Sequence, residues 1–265
     1  MIEGPASGPP LVLLHGATGN GGEWLGLFPH LSKHWHVYAL DLRGHGLSGR
    51  PDTLEGYHIR HNIRDTVTFL REGVRKPAVL MGHSYGAVIS MLTPMYAPDL
   101  VRAIVLEDPP LMLRRENDES KSFLEYFTWL YQMRQTATNE DQILELLSAQ
   151  NPQTDANLLR PWAQSLARLD PNFPLAITTG DKRETVRDVD FAAHIRDITC
   201  PVLVMKADEA KGGALVQQDL DFFMANASGS PKVKLALFPG AGHGIHLEQS
   251  GKFLQVFETF AADLP

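Results

Sequence analysis

The 265-residue sequence predicts an α/β protein, with a mostly parallel sheet, helices on both faces and an inserted all-helical block. Three observations carry this. Wholly apolar runs of three or four residues recur at Leu11–Leu14, Val79–Met81 and Val202–Met205, which read as strands buried on both faces. Segments with apolar residues at helical spacing lie between them, as parallel strands require of their connections. From 111 to 198 no strand pattern occurs at all.

Residues 1–10 are rich in Gly and Pro and are expected to be irregular. The first strand is Leu11–Leu14, followed by a glycine-rich loop from His15 to Gly22 and a helix over Trp24–Leu31. A second strand, Trp35–Leu40, ends at Asp41. Ile59, Ile63, Val67 and Leu70 mark a helix within 57–73. The strand at 78–82 leads into Gly82-His83-Ser84-Tyr85-Gly86, and a helix runs on to about Ala97. Val101–Leu106 is a strand closed by Glu107-Asp108-Pro109-Pro110. Helices are expected at 118–135, 139–150 and 155–169, then an irregular or helical stretch to Ile198. Strands resume at 202–205 and 233–238, with helices at about 215–226 and 250–262. Residues 1–110 and 199–265 thus form an α/β core, and 111–198 a helical cap over the C-terminal edge of the sheet, where such sheets bind ligands.

A net charge of −7 and the lack of a basic run argue against a nucleic-acid partner or an anionic membrane surface. No apolar run is long enough to span a bilayer. The N-terminal residues lack a basic region followed by an apolar core, so a cytoplasmic chain is expected. Cys200 is the one cysteine, excludes an internal disulfide and reads as a buried thiol.

The chemistry centres on Gly82-x-Ser84-x-Gly86. A strand that becomes a helix over one residue holds that residue in a strained conformation and lifts its side chain to the tip of the turn. Ser84 is the expected nucleophile, and the Tyr85 amide, at a helix N-terminus, can bind an anion. The hydroxyl needs a base. Of eleven histidines, His243 lies between glycines directly after the last strand, where a loop imidazole can reach across the sheet edge. His246 is its rival, and most of the other nine are expected to be surface or capping residues. A second oxyanion amide should come from the turn after Leu14, best from Ala17.

Leu14-His15-Gly16, Asp41-x-Arg43-Gly44-His45-Gly46-x-Ser48, Gly82-His83-Ser84-Tyr85-Gly86 and Gly240-x-Gly242-His243 together resemble the α/β-hydrolase superfamily, in its order and across most of the chain. The resemblance implies Ser84 as nucleophile, His243 as base, and the amides of Ala17 and Tyr85 as oxyanion hole. It also implies that the family's first two strands are shortened or missing here. The family's usual acid position, after the strand at 202–205, falls on Ala210; Asp208 is a displaced candidate. Some relatives place the acid at the end of the preceding strand, which is Asp108. Asp108 is preferred and Asp208 stays open.

The function expected is hydrolysis of a carboxylic ester or lactone through an acyl-enzyme, without cofactor or metal. Trp129, Trp162 and His15 are candidate substrate contacts, in or beside a cap rich in aromatics. Carbon–carbon bond hydrolysis on the same triad and a non-enzymatic ligand receptor are the alternatives. An NAD(P)-binding oxidoreductase is a further one: Gly16–Gly22 follows a strand, and Asp41 ends the next one, as in a dinucleotide site. His58 with His61, and His243 with His246 and Glu248, make no complete set of metal ligands.

Overall fold

The computed structural model describes residues 1–111, 118–179 and 191–265. Seven strands form one sheet: β1 (Ile2–Glu3), β2 (Pro10–Leu14), β3 (His36–Leu40), β4 (Ala78–His83), β5 (Val101–Glu107), β6 (Val202–Ala207) and β7 (Val233–Phe238). Their spatial order is β1-β3-β2-β4-β5-β6-β7. All pairs are parallel except β1 with β3, where Ile2 faces Tyr38. The sheet therefore begins with a two-residue antiparallel strand inside the stretch expected to be irregular.

Strand alternation divides the apolar residues between two cores. Val12, Leu14, Leu80, Ile104, Leu106, Val202 and Val204 face α2 (Ile59–Thr68), α3 (Tyr85–Leu92) and α9 (Gln217–Asn226). Leu11, Leu13, Val79, Met81, Val105, Leu203 and Met205 face Trp24, Phe28 of α1 (Phe28–Leu31), and Phe253, Phe257 and Phe260 of α11 (Ser250–Ala261). The central strands are buried on both faces, which is why they read as unbroken apolar runs. Cys200 is buried, and burial pushes its thiol up to about 12.

Several helices are shorter than their patterns. The Trp24–Leu31 segment divides into a 3-10 turn, Gly21–Trp24, and the four-residue α1. The helix of the 57–73 segment starts at Ile59 and continues beyond Thr68 as a π-turn over Phe69–Val74, closed by Arg75 in the left-handed region. α3 gives way to a 3-10 turn at Thr93–Met95, where Pro94 cannot donate to the ladder.

In the inserted block, α4 (Asp118–Thr136) packs on α7 (Asn172–Thr179), and α5 (Glu140–Gln150) on α6 (Ala156–Ala167). These helices close a third cluster around Phe127, Leu130, Leu147, Ala163, Leu166 and Phe173. Ala17 and Tyr85 of the sheet edge pack against it. α8 (Phe191–Arg196) follows, and the expected irregular or helical stretch at 180–190 lies outside the described residues. Short α10 (Ile245–Glu248) precedes α11. No helix among the described residues is long and apolar enough to cross a membrane.

At the β4–α3 junction the backbones approach closely. A Cβ on Gly86 would meet the carbonyl oxygens of Leu14 and His15, and one on Gly82 the Gly86 carbonyl. Backbone atoms cannot yield as a side chain can. Gly86→Ala should therefore lower stability by about 2 kcal/mol or more, seen as a reduced denaturant midpoint. Gly251→Ala, in α11 with open space around it, should be neutral or stabilising.

Candidate active site

Ser84 occupies the junction with φ 52° and ψ −115°, in the region that L-residues avoid. Two bonds hold it there. Its N–H donates to the Glu107 carbonyl at 2.9 Å, extending the β4–β5 ladder, and its own carbonyl accepts from Ala87 at 3.0 Å, opening α3. Tyr85 is the first residue of that helix.

His243, in the loop after β7, donates from Nδ1 to Asp108 Oδ2 at 2.7 Å. Asp108 follows β5 directly, has φ 44° and is fully buried. Its carboxylate also accepts from the amides of Ala207, Ala214 and Leu215 at 3.2, 2.6 and 3.2 Å. Burial by itself would raise its pKa. The His243 bond and charge, with those amides, outweigh burial and hold it below the ordinary carboxylate value. Asp208 lies elsewhere: its oxygens accept from Ala210 at 3.0 Å and Gly240 at 2.9 Å, capping the turn Glu209–Lys211. Ala210 is part of that turn.

The turn after β2 is fixed from both sides. His15 accepts the Leu42 N–H at Nε2 (2.9 Å), which leaves the proton on Nδ1, and this donates to the Gly16 carbonyl at 2.7 Å. The Gly19 N–H reaches the same carbonyl at 3.0 Å. Across a trans peptide the Ala17 N–H points the opposite way. His45 Nε2 lies 2.9 Å from the Ala17 carbonyl. A Cβ on Gly16 would come 3.5 Å from that of Ser84, so this peptide abuts the serine. The expectation that His15 touches substrate meets a ring with no exposed surface and both nitrogens taken by backbone. Trp162 donates from Nε1 to Thr18 Oγ1 at 3.3 Å, on this same turn, while Trp129 stacks on Tyr126 within the third cluster.

Sequence reasoning missed a buried polar group behind the serine. His15, His45 and His83 are buried rather than on the surface, as is His246. His83 Nδ1 donates to Glu23 Oε1 at 2.8 Å, and its Nε2 to the His243 carbonyl at 3.0 Å. His246 Nδ1 donates to Glu107 Oε2 at 2.8 Å, and its own N–H to Oε1 at 2.8 Å. Burial would lower the His83 imidazole. The charges of Glu23 and Glu107 and the Glu23 hydrogen bond outweigh it and push it up to about 9. Burial would raise Glu23, and the His83 charge and bond hold it down to about 2. His83 was visible inside the Gly82–Gly86 motif; nothing in the sequence marks Glu23 as its partner.

A metal would find donor atoms of Glu23, His83 and His246 within 4.8 Å of one another, although two of these already bond to each other. His243, His246 and Glu248 diverge onto Asp108, Glu107 and the Gly242 amide. Asp41, which a dinucleotide site would use for ribose, accepts from Gly21 and Leu47 instead.

The His83–Glu23 pair makes stability depend on pH. A raised histidine stabilises the fold fully below its ordinary 6.5, and the gain is lost as pH rises through about 9. The lowered Glu23 contributes above its ordinary 4.5, and that gain is lost as pH falls through about 2. The denaturant midpoint should thus fall between pH 7 and 10, and Glu23→Gln should flatten that slope.

The model of the alpha/beta hydrolase family matches residues 11–256. A 2-(acetamidomethylene)succinate hydrolase of Mesorhizobium japonicum is 28% identical over 245 residues, spanning 91% of this chain and 83% of that protein. A pimeloyl-[acyl-carrier protein] methyl ester esterase of Nitrosomonas europaea is 26% identical over 271 residues, 97% of this chain and 98% of its own. The crystal structure of an E-2-(acetamidomethylene)succinate hydrolase superposes with a TM-score of 0.77 at 25% identity, covering 98% of this chain and 93% of the other. With its parallel sheet, strained junction serine and family match over nearly the whole length, this chain belongs to the alpha/beta hydrolase family.

Proposed function

We propose that this protein is a serine hydrolase that cleaves a carboxylic ester or lactone through an acyl-enzyme. What supports the reading is a strained Ser84 at the strand–helix junction together with a His243 imidazole bonded to the buried carboxylate of Asp108. Ser84 Oγ attacks the carbonyl carbon and His243 Nε2 takes its proton. Asp108 keeps the imidazole proton on Nδ1 and stabilises the imidazolium. The amides of Ala17 and Tyr85 receive the charge that develops on the carbonyl oxygen. His243 then returns the proton to the leaving alcohol. Water, deprotonated by the same imidazole, releases the acid and restores Ser84. No electron is transferred, so these steps call for no cofactor.

Residues 111–198 act as a cap in this reading. Trp129 and Trp162, with Phe173, favour a small or medium apolar group in the substrate, since the third cluster borders both Ala17 and Tyr85. The similarity to a methyl ester esterase over 98% of that enzyme's length supports an ester. The buried single thiol fits a cytoplasmic setting.

A fluorophosphonate should label the wild type and fail on Ser84→Ala; an unlabelled wild type counts against the reading. On a p-nitrophenyl ester, Asp108→Asn should lower kcat by about 10³-fold or more. Asp208→Asn should stay within a few-fold and lower thermal stability instead. The reverse pattern would move the acid to Asp208. A panel of esters and lactones of matched size identifies the bond cleaved.

A further inference from the structure

Glu23, His83, Glu107 and His246 form a chain of buried ionisable groups that no step of the proposed reaction uses. Side-chain exposures of 12% for Glu23 and 10% for His83 make them an expensive pair to bury, and apolar residues of similar size would often serve stability as well. What an apolar pair cannot do is deliver an N–H to the carbonyl of His243, which His83 Nε2 does at 3.0 Å.

Glu23 decides how firmly that N–H is aimed. A neutral imidazole carries one proton, on either nitrogen. With an acceptor at Nδ1, 2.8 Å away in Glu23, the ring holds protons on both sides and Nε2 keeps its donor. With an apolar residue in place of Glu23, Nδ1 has no acceptor to bond, and the ring loses the anchor and the charge that hold Nε2–H firmly on the His243 carbonyl. The same Glu23 oxygen accepts the Gly16 N–H at 3.4 Å, beside the Ala17 amide. Three residues beyond His243, the His246 N–H and Nδ1 are held by Glu107. The His243 loop is thus gripped at its carbonyl and at its far end, while Asp108 grips the ring.

We propose that Glu23 is a positioning residue for hydrolysis: by presenting His83 Nε2–H to the His243 carbonyl, it fixes the main chain that carries the imidazole to Ser84. This rests on the serine-hydrolase reading. A displacement of about 1 Å in a reacting group can cost about a hundredfold in rate.

The test uses Glu23→Leu, Glu23→Gln, His83→Asn and the double variant Glu23→Leu with His83→Asn. Glu23→Leu should slow both kcat and fluorophosphonate labelling of Ser84 about ten- to hundredfold, with KM within about twofold. Glu23→Gln should recover most of the rate, because its amide can donate to Nδ1 and leave the proton on Nε2. In the His83→Asn background Glu23→Leu should add little. Unchanged kcat in Glu23→Leu, or a full additive loss in the double variant, would overturn the proposal. The downfield proton resonance of the His243–Asp108 hydrogen bond separates the two readings. It should shift or broaden in Glu23→Leu and in His83→Asn, and keep its position in Glu23→Gln, even if the wild type is not labelled. A resonance unmoved in every variant refutes the role of Glu23. His83→Asn carries the same readout if Glu23→Leu does not fold.

Discussion

Two adjacent carboxylates at the end of β5 hold the loop that follows β7. Glu107 takes His246 and Asp108 takes His243, each through Nδ1 at 2.8 and 2.7 Å. Glu107 is the last residue of β5 and Asp108 the first beyond it, so one strand end grips the loop at two separate places. The positive φ of Asp108 ends the strand and turns its carboxylate toward the amides of Ala214 and Leu215. Each carboxylate thus ties the loop to the strand end beside Ser84, whose N–H bonds the Glu107 carbonyl.

These groups are buried where charge is costly, and each carboxylate is matched by several donors. A polar network like this specifies one arrangement more than it adds stability. It also explains why four histidines lie inside: the rings of His15, His45, His83 and His246 each join backbone or carboxylate partners that no apolar side chain could satisfy.

The helical block adds a second constraint, on the turn after β2. Trp162 bonds Thr18, and Asn20 bonds Ser165 at 3.0 Å. The turn carrying Ala17 therefore lies between the sheet, through His15 and His45, and the helices above it. Its geometry depends on both.

The sequence by itself determined the parallel sheet, the strand–serine–helix junction and the position of His243 after the last strand. Those are local facts: apolar run length, glycine spacing and element order are printed along the chain. The two-residue β1 and the shortened helices escaped it, because edge pairing and the effects of Pro94 depend on neighbours and backbone geometry. Only the tertiary structure decided which aspartate meets His243, that Asp208 caps a turn instead, and that Glu23 joins His83 across 60 positions. A carboxylate's partner is whatever donor lies within about 3 Å, and folding, not sequence spacing, sets that distance.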